Sequence, residues 1–493
     1  MAVYRFGRGC ALLVNRVVLS FAPLAVLSWT SCAPAPTRAA RPPQRLAPAA
    51  ATTPGLGLPS AAPTAAPVGS AAPVAPAAPP PAQLESDGND TASDPGTGQI
   101  PSAAHFERVG KAPLALQRIC DLKVFAGGLY AAHANAPLGS DGATITRYDP
   151  SDAARPFRVA FDWNRAGEPS KGGGAGQGFV RIRRLGGRLL VPDADPPYLG
   201  FWMSKTGTEG FVFISDANGQ FAHARLPGHL PPLAPASDKP GAGLVPNAFH
   251  VLDVISFRSH YYAAAGSIPP GGQPNGERAP AALHVANEAL SRWEYALGFP
   301  ERPTDDVWRF TFLVRFQDRL FAGLQDYYRR EQYDYVVFEL GPGETQLSSS
   351  SVRPVRVTEH GAAWTYRWYA DGGKLYWIGA GRGEAVLLRV SDNGQDWRVI
   401  ELPPDVGAPT DIVRYRDSLV VLTEHALLAL RGQEASVVAA VTEKRSPFEL
   451  TDFLCAAPLA VYDNQLYAGG QRDGALYRLV ADALPAAEPV APH

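Results

Sequence analysis

The chain lacks the features that mark most membrane-spanning, nucleic-acid-binding and metal proteins. Its N-terminal apolar stretch, Val17–Trp29, has 13 residues, fewer than the roughly 20 that cross a bilayer as a helix, and no second candidate span follows. The formal net charge is −2, so there is no basic surplus for nucleic acid. The ten His show no paired ligand spacing, and no P-loop, Rossmann or Ser-His-Asp signature occurs. We therefore expect no metal, no cofactor and no nucleic-acid partner.

What the chain does have is one pattern that occurs seven times between residue 122 and the C-terminus. An apolar run meets a short polar or Gly turn, and a second apolar run then begins with Leu or Tyr, as in YADGGKLYWI. The anchors are Leu129, Leu189, Tyr261, Leu320, Leu375, Leu419 and Leu466. A strand hairpin that returns at this period predicts an all-β, seven-bladed β-propeller, because one such sheet cannot bury both faces without neighbours.

Each predicted blade has four antiparallel strands, A to D from the inside outward. Blade five is the clearest: TYRWYADG, KLYWIGAG, EAVLLRVSD and WRVIELP. The last repeat lacks its fourth strand, while the segment HFERVGKAPLAL (105–116) has a strand without a blade. We predict that this segment completes blade seven, because that pairing closes the ring and covers an open edge.

The N-terminus reads as an export signal. Three arginines precede Val17–Trp29, and the stretch ends in small residues followed by Cys32. This resembles the lipobox of bacterial lipoproteins, in which such a Cys receives the lipid, although Trp29 stands where that family prefers Leu. The resemblance implies lipidation at Cys32 and removal of residues 1–31. An ordinary cleavable signal with an incidental Cys is the alternative.

The remaining domain boundaries follow from composition. Residues 32–104 are dominated by Ala, Pro, Thr, Ser and Gly and read as a disordered tether, because they cannot bury enough apolar surface to fold. The propeller is predicted over 105–482, with a disordered tail at 483–493. With the lipid, this organisation predicts an outer-membrane lipoprotein or a periplasmic or cell-surface protein of the bacterial envelope.

Two of the four cysteines are left for the propeller. Cys10 lies in the signal and Cys32 is the lipidation candidate, so Cys120 and Cys455 remain. They precede the first and last anchors, and those repeats become neighbours when the ring closes. We predict a disulfide between them, as exported proteins favour; two buried thiols in neighbouring strands are the alternative.

One segment resembles a known propeller element. VSDNGQDW (390–397) is similar to the Asp-box of sialidase-like propellers, matching Asp392, Gly394 and Trp397, with weaker copies at SDANGQF (215–221) and VANEALSRW (285–293). The resemblance implies a sialidase-like or kelch-like propeller in which the Asp caps a turn, the Gly takes positive φ and the aromatic ring packs between strands.

The functional prediction rests on loop length. The A–B and C–D turns are expected to be short, while the B–C and D–A connections are long; they include PDADPPYLGFWMSKTGTEG in blade two and, as a D–A connection before blade three, PGHLPPLAPASDKPGAGLVPN. B–C and D–A connections emerge on one face, here named the loop face. Long connections are often functional. A non-catalytic binding or scaffold domain, with a carbohydrate or protein ligand on the loop face, is therefore predicted.

Candidate site residues follow from the same reading. Polar residues near the starts of strands A are expected to line the channel mouth: Arg181, Asp253, Arg309, Arg367, Asp411 and Asp452. A second candidate is an interface segment, Tyr327, Tyr328, Arg329 and Arg330, since Tyr and Arg are favoured at interfaces. The alternative function is a carbohydrate-active enzyme with its site at the channel mouth. No catalytic residue is assigned, because the sialidase motif Phe/Tyr-Arg-Ile-Pro and its Tyr–Glu pair are absent.

Overall fold

A computed structural model of the chain describes residues 94–482, except 135–141, 164–177, 195–208, 224–238, 271–278, 301–307, 327–332 and the single positions 360, 362, 382 and 453. The described residues form seven four-stranded antiparallel sheets. The fold is the predicted all-β, seven-bladed propeller. The signal, the lipidation candidate Cys32, most of the tether, the C-terminal tail and the interface candidates Tyr327–Arg330 lie outside the described residues. Within the described part, no helix is long and apolar enough to cross a bilayer.

The strands follow one another around the ring, from the innermost strand A to the outermost strand D of each blade. Blade 1 is β2 (Arg118–Phe125), β3 (Gly128–Ala134), β4 (Thr144–Tyr148) and β5 (Phe157–Asp162); blade 2 is β6 (Arg183–Leu185), β7 (Arg188–Pro192), β8 (Glu209–Ile214) and β9 (Gly241–Pro246). Blade 3 is β10 (Ala248–Phe257), β11 (His260–Ser267), β12 (Ala281–Ala286) and β13 (Trp293–Phe299); blade 4 is β14 (Trp308–Phe316), β15 (Arg319–Asp326), β16 (Tyr335–Phe338) and β17 (Val352–Val355). Blade 5 is β18 (Trp364–Asp371), β19 (Lys374–Ala380), β20 (Val386–Ser391) and β21 (Arg398–Val399); blade 6 is β22 (Pro409–Tyr415), β23 (Ser418–Thr423), β24 (Ala426–Arg431) and β25 (Glu434–Ala440). Blade 7 is β26 (Leu459–Tyr462), β27 (Gln465–Gly469), β28 (Ala475–Ala481) and β1 (Ala104–Lys111).

The seven anchor motifs are the A–B hairpins of the blades. Strands A and B are joined by two residues, at 126–127, 186–187, 258–259, 317–318, 372–373, 416–417 and 463–464. In blade 5 both turn residues have positive φ, 55° at Gly372 and 75° at Gly373. Two-residue turns of this kind match the right-handed twist of the strands. The end of the ring that carries these turns and the C–D connections is named the turn face.

Ring closure follows the prediction. Strand β1 pairs antiparallel with β28, from Ala104 opposite Ala481 to Lys111 opposite Ala475. The N-terminal strand is therefore strand D of the last blade. This pairing covers the edge of β28 that the C-terminal repeat alone would leave open.

The chain meets the propeller earlier than the tether boundary predicted from composition. Pro95 accepts a hydrogen bond from the Arg416 amide (2.6 Å), the Thr97 amide donates to Asn464 (3.1 Å) and the Ile100 amide donates to Asp417 (3.3 Å). Residues 95–100, named the strap, thus cross the A–B turns of blades 6 and 7 on the turn face. Composition did not show this because the strap is held through its own backbone.

A covalent link also joins the first and last blades. Cys120 on β2 and Cys455, just before β26, form the predicted disulfide, with their Cα atoms 4.5 Å apart. Beside it, Arg118 donates to Asp452 at 2.9 Å, and both side chains are buried. The Ile119 amide donates to the Gly470 carbonyl of blade 7 (2.9 Å). These contacts fasten the inner strand of blade 1 to the inner part of blade 7.

The space between neighbouring blades is filled by aromatic side chains. Between blades 4 and 5, Tyr335 lies 5.6 Å from Trp377 between ring centroids, and Trp397 Nε1 donates to the Tyr335 hydroxyl (2.9 Å). Trp368 stacks on Trp377 at 5.6 Å. Trp397 thus packs between strands, as its Asp-box-like position implied.

The turn that precedes Trp397 is capped differently from the expectation. Gly394 has the expected positive φ of 71°, but Ser391 Oγ accepts the Gly394 amide (2.8 Å) and Asn393 Oδ1 accepts the Asp396 amide (2.9 Å). Asp392, 61% exposed, instead pairs with Lys374 and Arg398. The capping role assigned to Asp392 is therefore wrong, because the side chains of Ser391 and Asn393 accept the turn amides instead.

The weaker copy in blade 2 makes the side-chain cap that the resemblance implied. Asp216 Oδ1 accepts the amides of Asn218 (2.9 Å) and Gln220 (2.8 Å). Gly219, with φ 76°, approaches Tyr130 of blade 1 so closely that an added Cβ would lie 2.1 Å from its hydroxyl. The turn therefore contributes to packing between blades.

The prediction of uniformly short C–D turns is wrong in blade 4, where residues 339–351 join β16 to β17, and in blade 2. GAGLVP (241–246) is strand β9, which pairs with β8, and only Asn247 separates it from β10. The long Pro-rich segment before it is therefore a C–D connection on the turn face, not a D–A connection on the loop face. The strand was missed because Gly and Pro punctuate it as they do a loop.

Deletion of residues 94–111 removes the strap and β1, and should destabilise the ring strongly. The β28 edge loses its backbone partner, which at about 1 kcal/mol for each of several hydrogen bonds amounts to about 5 kcal/mol or more. Calorimetric melting of the deletion should show a large fall in Tm, whereas deletion of 483–493 should leave Tm unchanged. Equal melting of the two truncated proteins would contradict this account of closure.

Buried histidines should make folding acid-sensitive. Burial lowers the pKa of His133 and of His284 to about 4, whereas an unfolded His titrates near 6.5. Between these values the unfolded chain binds more protons, so stability is lost as the pH falls from 6.5 towards 4, by up to about 3 kcal/mol for each group. Melting between pH 7.5 and 5 should show this slope, weakened in His284→Gln and kept in the exposed control His425→Gln. A flat wild-type profile would refute it.

Candidate functional site: the central channel

Three inner strands carry an aspartate at the same place. Asp121, Asp253 and Asp411 each lie four residues before the end of strand A, in blades 1, 3 and 6. Strand pairing shifts register just before each of them. Such bulges bend a strand and redirect a side chain. All three side chains contact the neighbouring blade near the propeller axis.

Each carboxylate joins its own blade to the next one. Asp253 Oδ1 accepts the Val254 amide (2.8 Å), while Oδ2 accepts the Leu313 amide of blade 4 (2.7 Å). Asp121 accepts the amides of Leu122 and of Ile182 at the start of blade 2 (3.0 and 2.9 Å). Asp411 does the same with Ile412 and Leu459 of blade 7 (2.8 and 2.7 Å). These bonds clamp blades 1–2, 3–4 and 6–7.

Three arginines complete this cluster. Arg183 forks onto Asp253 (2.7 and 2.6 Å) and donates to the Leu313 carbonyl (2.7 Å). Arg367, on blade 5, donates to the carbonyl of Cys120 at 2.7 Å, and its Nε lies 3.4 Å from Asp411. A fork between charged groups is among the strongest protein hydrogen bonds.

The third arginine lies between two of the aspartates. Arg181 is 3.8 Å from Asp121 and 4.0 Å from Asp253, and its guanidinium lies over the Phe312 ring at 4.1 Å from the centroid. The six side chains Asp121, Asp253, Asp411, Arg181, Arg183 and Arg367 are named the charge ring. Their formal charges sum to zero.

Burial and charge act in opposite directions on these carboxyls. Burial raises the pKa of Asp253 and of Asp411 above the ordinary carboxyl range, and Arg183 and Arg367 respectively oppose that rise. The charges are thus kept by their partners rather than by water. Removal of one member would leave its partner buried and uncompensated.

The charge ring lines a small cavity. The cavity that it lines is about 50 Å³, room for a few water molecules and far below the roughly 300–1,000 Å³ of a small-molecule site. Among the described residues, no three His, Cys, Asp or Glu side chains are grouped as metal ligands. In the described part of the chain, the charge ring stabilises the contacts between blades.

The six predicted channel residues divide into two groups. Arg181, Asp253, Arg367 and Asp411 meet in the charge ring. Arg309 instead donates to Gln325 (3.2 Å) at the start of β14, and Asp452 pairs with Arg118 beside the disulfide. These last two lie towards the loop face, away from the ring.

Two members of the ring, Asp121 and Arg183, were not among the predicted site residues. A signal for Asp121 exists: CDLKVF, LDVISF and TDIVRY each place an Asp before an aliphatic residue, four positions before the strand ends. Arg183 follows Arg181 by two positions and therefore lies on the same side of the chain. Aligning the repeats on their A–B turns would have found Asp121.

Comparison with known proteins gives a general likeness only. No protein-family model and no curated protein matches the chain. Among solved structures it is similar to a catalytically inactive virginiamycin B lyase from Staphylococcus aureus with quinupristin (8% identity, TM-score 0.44, 77% of this chain and 100% of that one). It is also similar to Raptor from Chaetomium thermophilum (11%, 0.40, 78% and 30%) and to a prolyl endopeptidase (11%, 0.38, 75% and 51%). Because these sequence identities and TM-scores are low, the fold is established by the strand pairing described above and not by the likeness.

Asp253→Asn should be strongly destabilising. It leaves Arg183 buried beside a neutral amide, a change that typically costs about 3–5 kcal/mol. Thermal melting measures the loss, with the exposed Asp405→Asn as a matched control that should melt like the wild type. The double variant Asp253→Leu with Arg183→Met, which removes both charges, should recover part of the loss. Wild-type melting of Asp253→Asn would show that the charge ring does not brace the blades.

Proposed function

We propose that this protein is an exported, lipid-anchored binding or scaffold protein of the bacterial cell envelope that engages its ligand through the loop face. The observation that carries the proposal is the position of the two ends of the propeller. The strap crosses the A–B turns, and Asp482, after β28, bonds to Ala103 beside it. Both ends of the described part of the chain therefore lie on the turn face, opposite the loop face.

Connection lengths support the same face. The A–B connections have two residues each, whereas the loop face receives segments such as 163–182, 193–208, 268–280 and 441–458. Two long segments, 215–240 and 339–351, lie on the turn face. Connections displayed from a rigid scaffold are common binding elements.

Two carboxylates, the buried Asp334 and the half-buried Glu424, hold three of the loop-face connections in place. Asp334 accepts the amides of Val357, Thr358 and Ala363, all within 2.8 Å. Glu424 accepts the amides of Ala408 and Leu450, both at 2.9 Å. Connections fixed in this way lose less entropy when they bind a partner.

The disulfide supports export. Bonds such as Cys120–Cys455 persist in oxidising compartments and are rare in the cytosol. It agrees with the signal-like N-terminus, and the lipobox-like Cys32 would supply the membrane anchor. The glycosidase alternative gains less support, because it needs two carboxylates with room for a sugar. The three channel carboxylates are all engaged by amides and arginines.

Blade 2 offers a matched pair of variants for testing the loop face. Residues 196–207 connect strands B and C, whose ends are at the loop face, and residues 225–237 connect strands C and D, whose ends are at the turn face. Each is replaced by a short Gly-Ser linker in the full chain, and binding of labelled protein to isolated cell envelopes is measured. The first replacement should abolish or strongly reduce binding, and the second should leave it unchanged.

Two outcomes would contradict the proposal: no binding of the wild type, or equal binding of both variants. Release of reducing sugar from the same envelopes by the wild type would instead favour the carbohydrate-active enzyme. Melting of both variants at the wild-type temperature is the check that the blade is intact.

A further inference from the structure

The connection between blades 6 and 7 contains a short exposed segment. Residues 441–458 join β25 to β26, and 442–445, here named the TEKR segment, are four consecutive exposed residues within that connection. Among the described residues, the backbone of this segment forms no hydrogen bond with another part of the chain, and Lys444 and Arg445 form no ion pair. The TEKR segment is therefore held only by the residues that flank it.

The surroundings of the TEKR segment are well defined. The neighbouring loop-face connections at 400–408, 424–425 and 470–474 all belong to the described part of the chain. Each of them is packed against its own blade or against the connection 441–458. The exposure of the segment is thus a property of described residues.

Both flanks of the TEKR segment are fixed. On one side, the Val441 amide donates to the His425 carbonyl (2.8 Å). On the other side, the buried Ser446 donates its hydroxyl to the Glu424 carbonyl. A break in the chain between these two points would therefore leave the contacts on both sides in place.

These features are those of a site for limited proteolysis. Exposed polar loop tips are the preferred positions of nicking, and Lys444 and Arg445 are the residues that a protease with an acidic specificity pocket selects by charge. Two exposed basic residues of other connections, Arg155 and Lys239, are each followed by proline. Proline removes a backbone N–H and restricts the residue before it, which disfavours cleavage at those two positions.

We propose that the TEKR segment is a processing site, at which a protease specific for basic residues cuts the Lys444–Arg445 bond of the folded protein. Water adds across the bond and leaves a carboxylate on Lys444 and an amino group on Arg445. This bond is favoured over the next one, because Ser446 on the far side of the next bond is buried. The second chain of the product consists of residues 445–493.

The second chain remains part of the closed ring. It carries β26, β27 and β28, and its Cys455 stays bonded to Cys120 of the first chain. Strand β28 keeps its pairing with β1, and the Leu459 amide keeps its hydrogen bond to Asp411 (2.7 Å). The disulfide thereby becomes the covalent link between two chains. The site is independent of what the loop face binds.

Limited digestion of the full-length protein with lysyl endopeptidase tests the site. Mass spectrometry after reduction should find the fragment 445–493 early in the digestion, and without reduction this fragment should remain attached through the disulfide. Cleavage after Lys123, which is 8% exposed in β2, should occur only in protein that was denatured first. Lys444→Gln should abolish the fragment, whereas the control Lys374→Gln, at the exposed start of β19, should not.

The stability of the cut protein tests whether the ring stays closed. The Tm of the cut wild type should not depend on protein concentration, because its two chains remain linked. The double variant Cys120→Ala with Cys455→Ala should be cut at the same bond, but its Tm should fall on dilution, since its chains separate when they unfold.

Folded protein that resists the enzyme at Lys444, while denatured protein is cut there, would overturn the proposal. So would a cut wild type that has lost its cooperative melting transition, or one whose Tm falls on dilution as that of the double variant does.

Discussion

The structure depends on one constraint, that the first and last blades must be joined. Each blade packs only on its neighbours, so an open ring would expose two blade faces and a strand edge. Two sets of contacts join the ends of the chain, one at the outer edge of the ring and one near its axis. At the outside, β1 supplies the fourth strand of blade 7. Near the axis, the disulfide and the Arg118–Asp452 pair fasten the inner strands. Arg367 of blade 5 adds a contact from the far side of the ring.

Polar groups, not apolar ones, hold the centre of this ring. The inner strands converge there, and a carboxylate at a bulge accepts one amide from its own strand and one from the next blade, as Asp253 does. Three such carboxylates need three positive charges, which Arg181, Arg183 and Arg367 supply. The arrangement leaves a cavity of only about 50 Å³. This cavity is too small for most ligands, and the binding site proposed above accordingly lies on the loop face rather than on the axis.

The sequence was sufficient for the fold because the A–B hairpin is a local signal. Two-residue turns between apolar runs recur in every blade, and the unpaired N-terminal strand and the two spare cysteines then follow from closing a ring. Strand β9 was not predicted, because GAGLVP has small residues and a proline. It is a strand because it pairs with β8. Asp392 was predicted to cap the turn that Ser391 and Asn393 cap instead. A sequence pattern does not show which of several polar side chains accepts an amide.

The candidate site was harder to predict, because its members belong to different repeats and come together only in the ring. Four of the six predicted residues meet there, but Asp121 and Arg183 carry as much of the charge as those that were named. The partners of a buried charge are set by the bulges that turn each strand, and no single repeat contains that information. Arg309 and Asp452 looked equivalent in sequence but lie towards the loop face.

The pairing of β1 with β28 sets a condition on how the protein is made. The two strands lie at opposite ends of the propeller sequence, and the two cysteines are 335 residues apart. Contacts between such distant parts of a chain form late, since the whole intervening loop must be ordered first. In the export proposed above, the N-terminal strand would cross the membrane long before its partner, and its unpaired edge would have to be kept from other chains until the last blade had followed. A cell that makes this protein in quantity should depend on a chaperone at that stage, in the compartment where the disulfide can form.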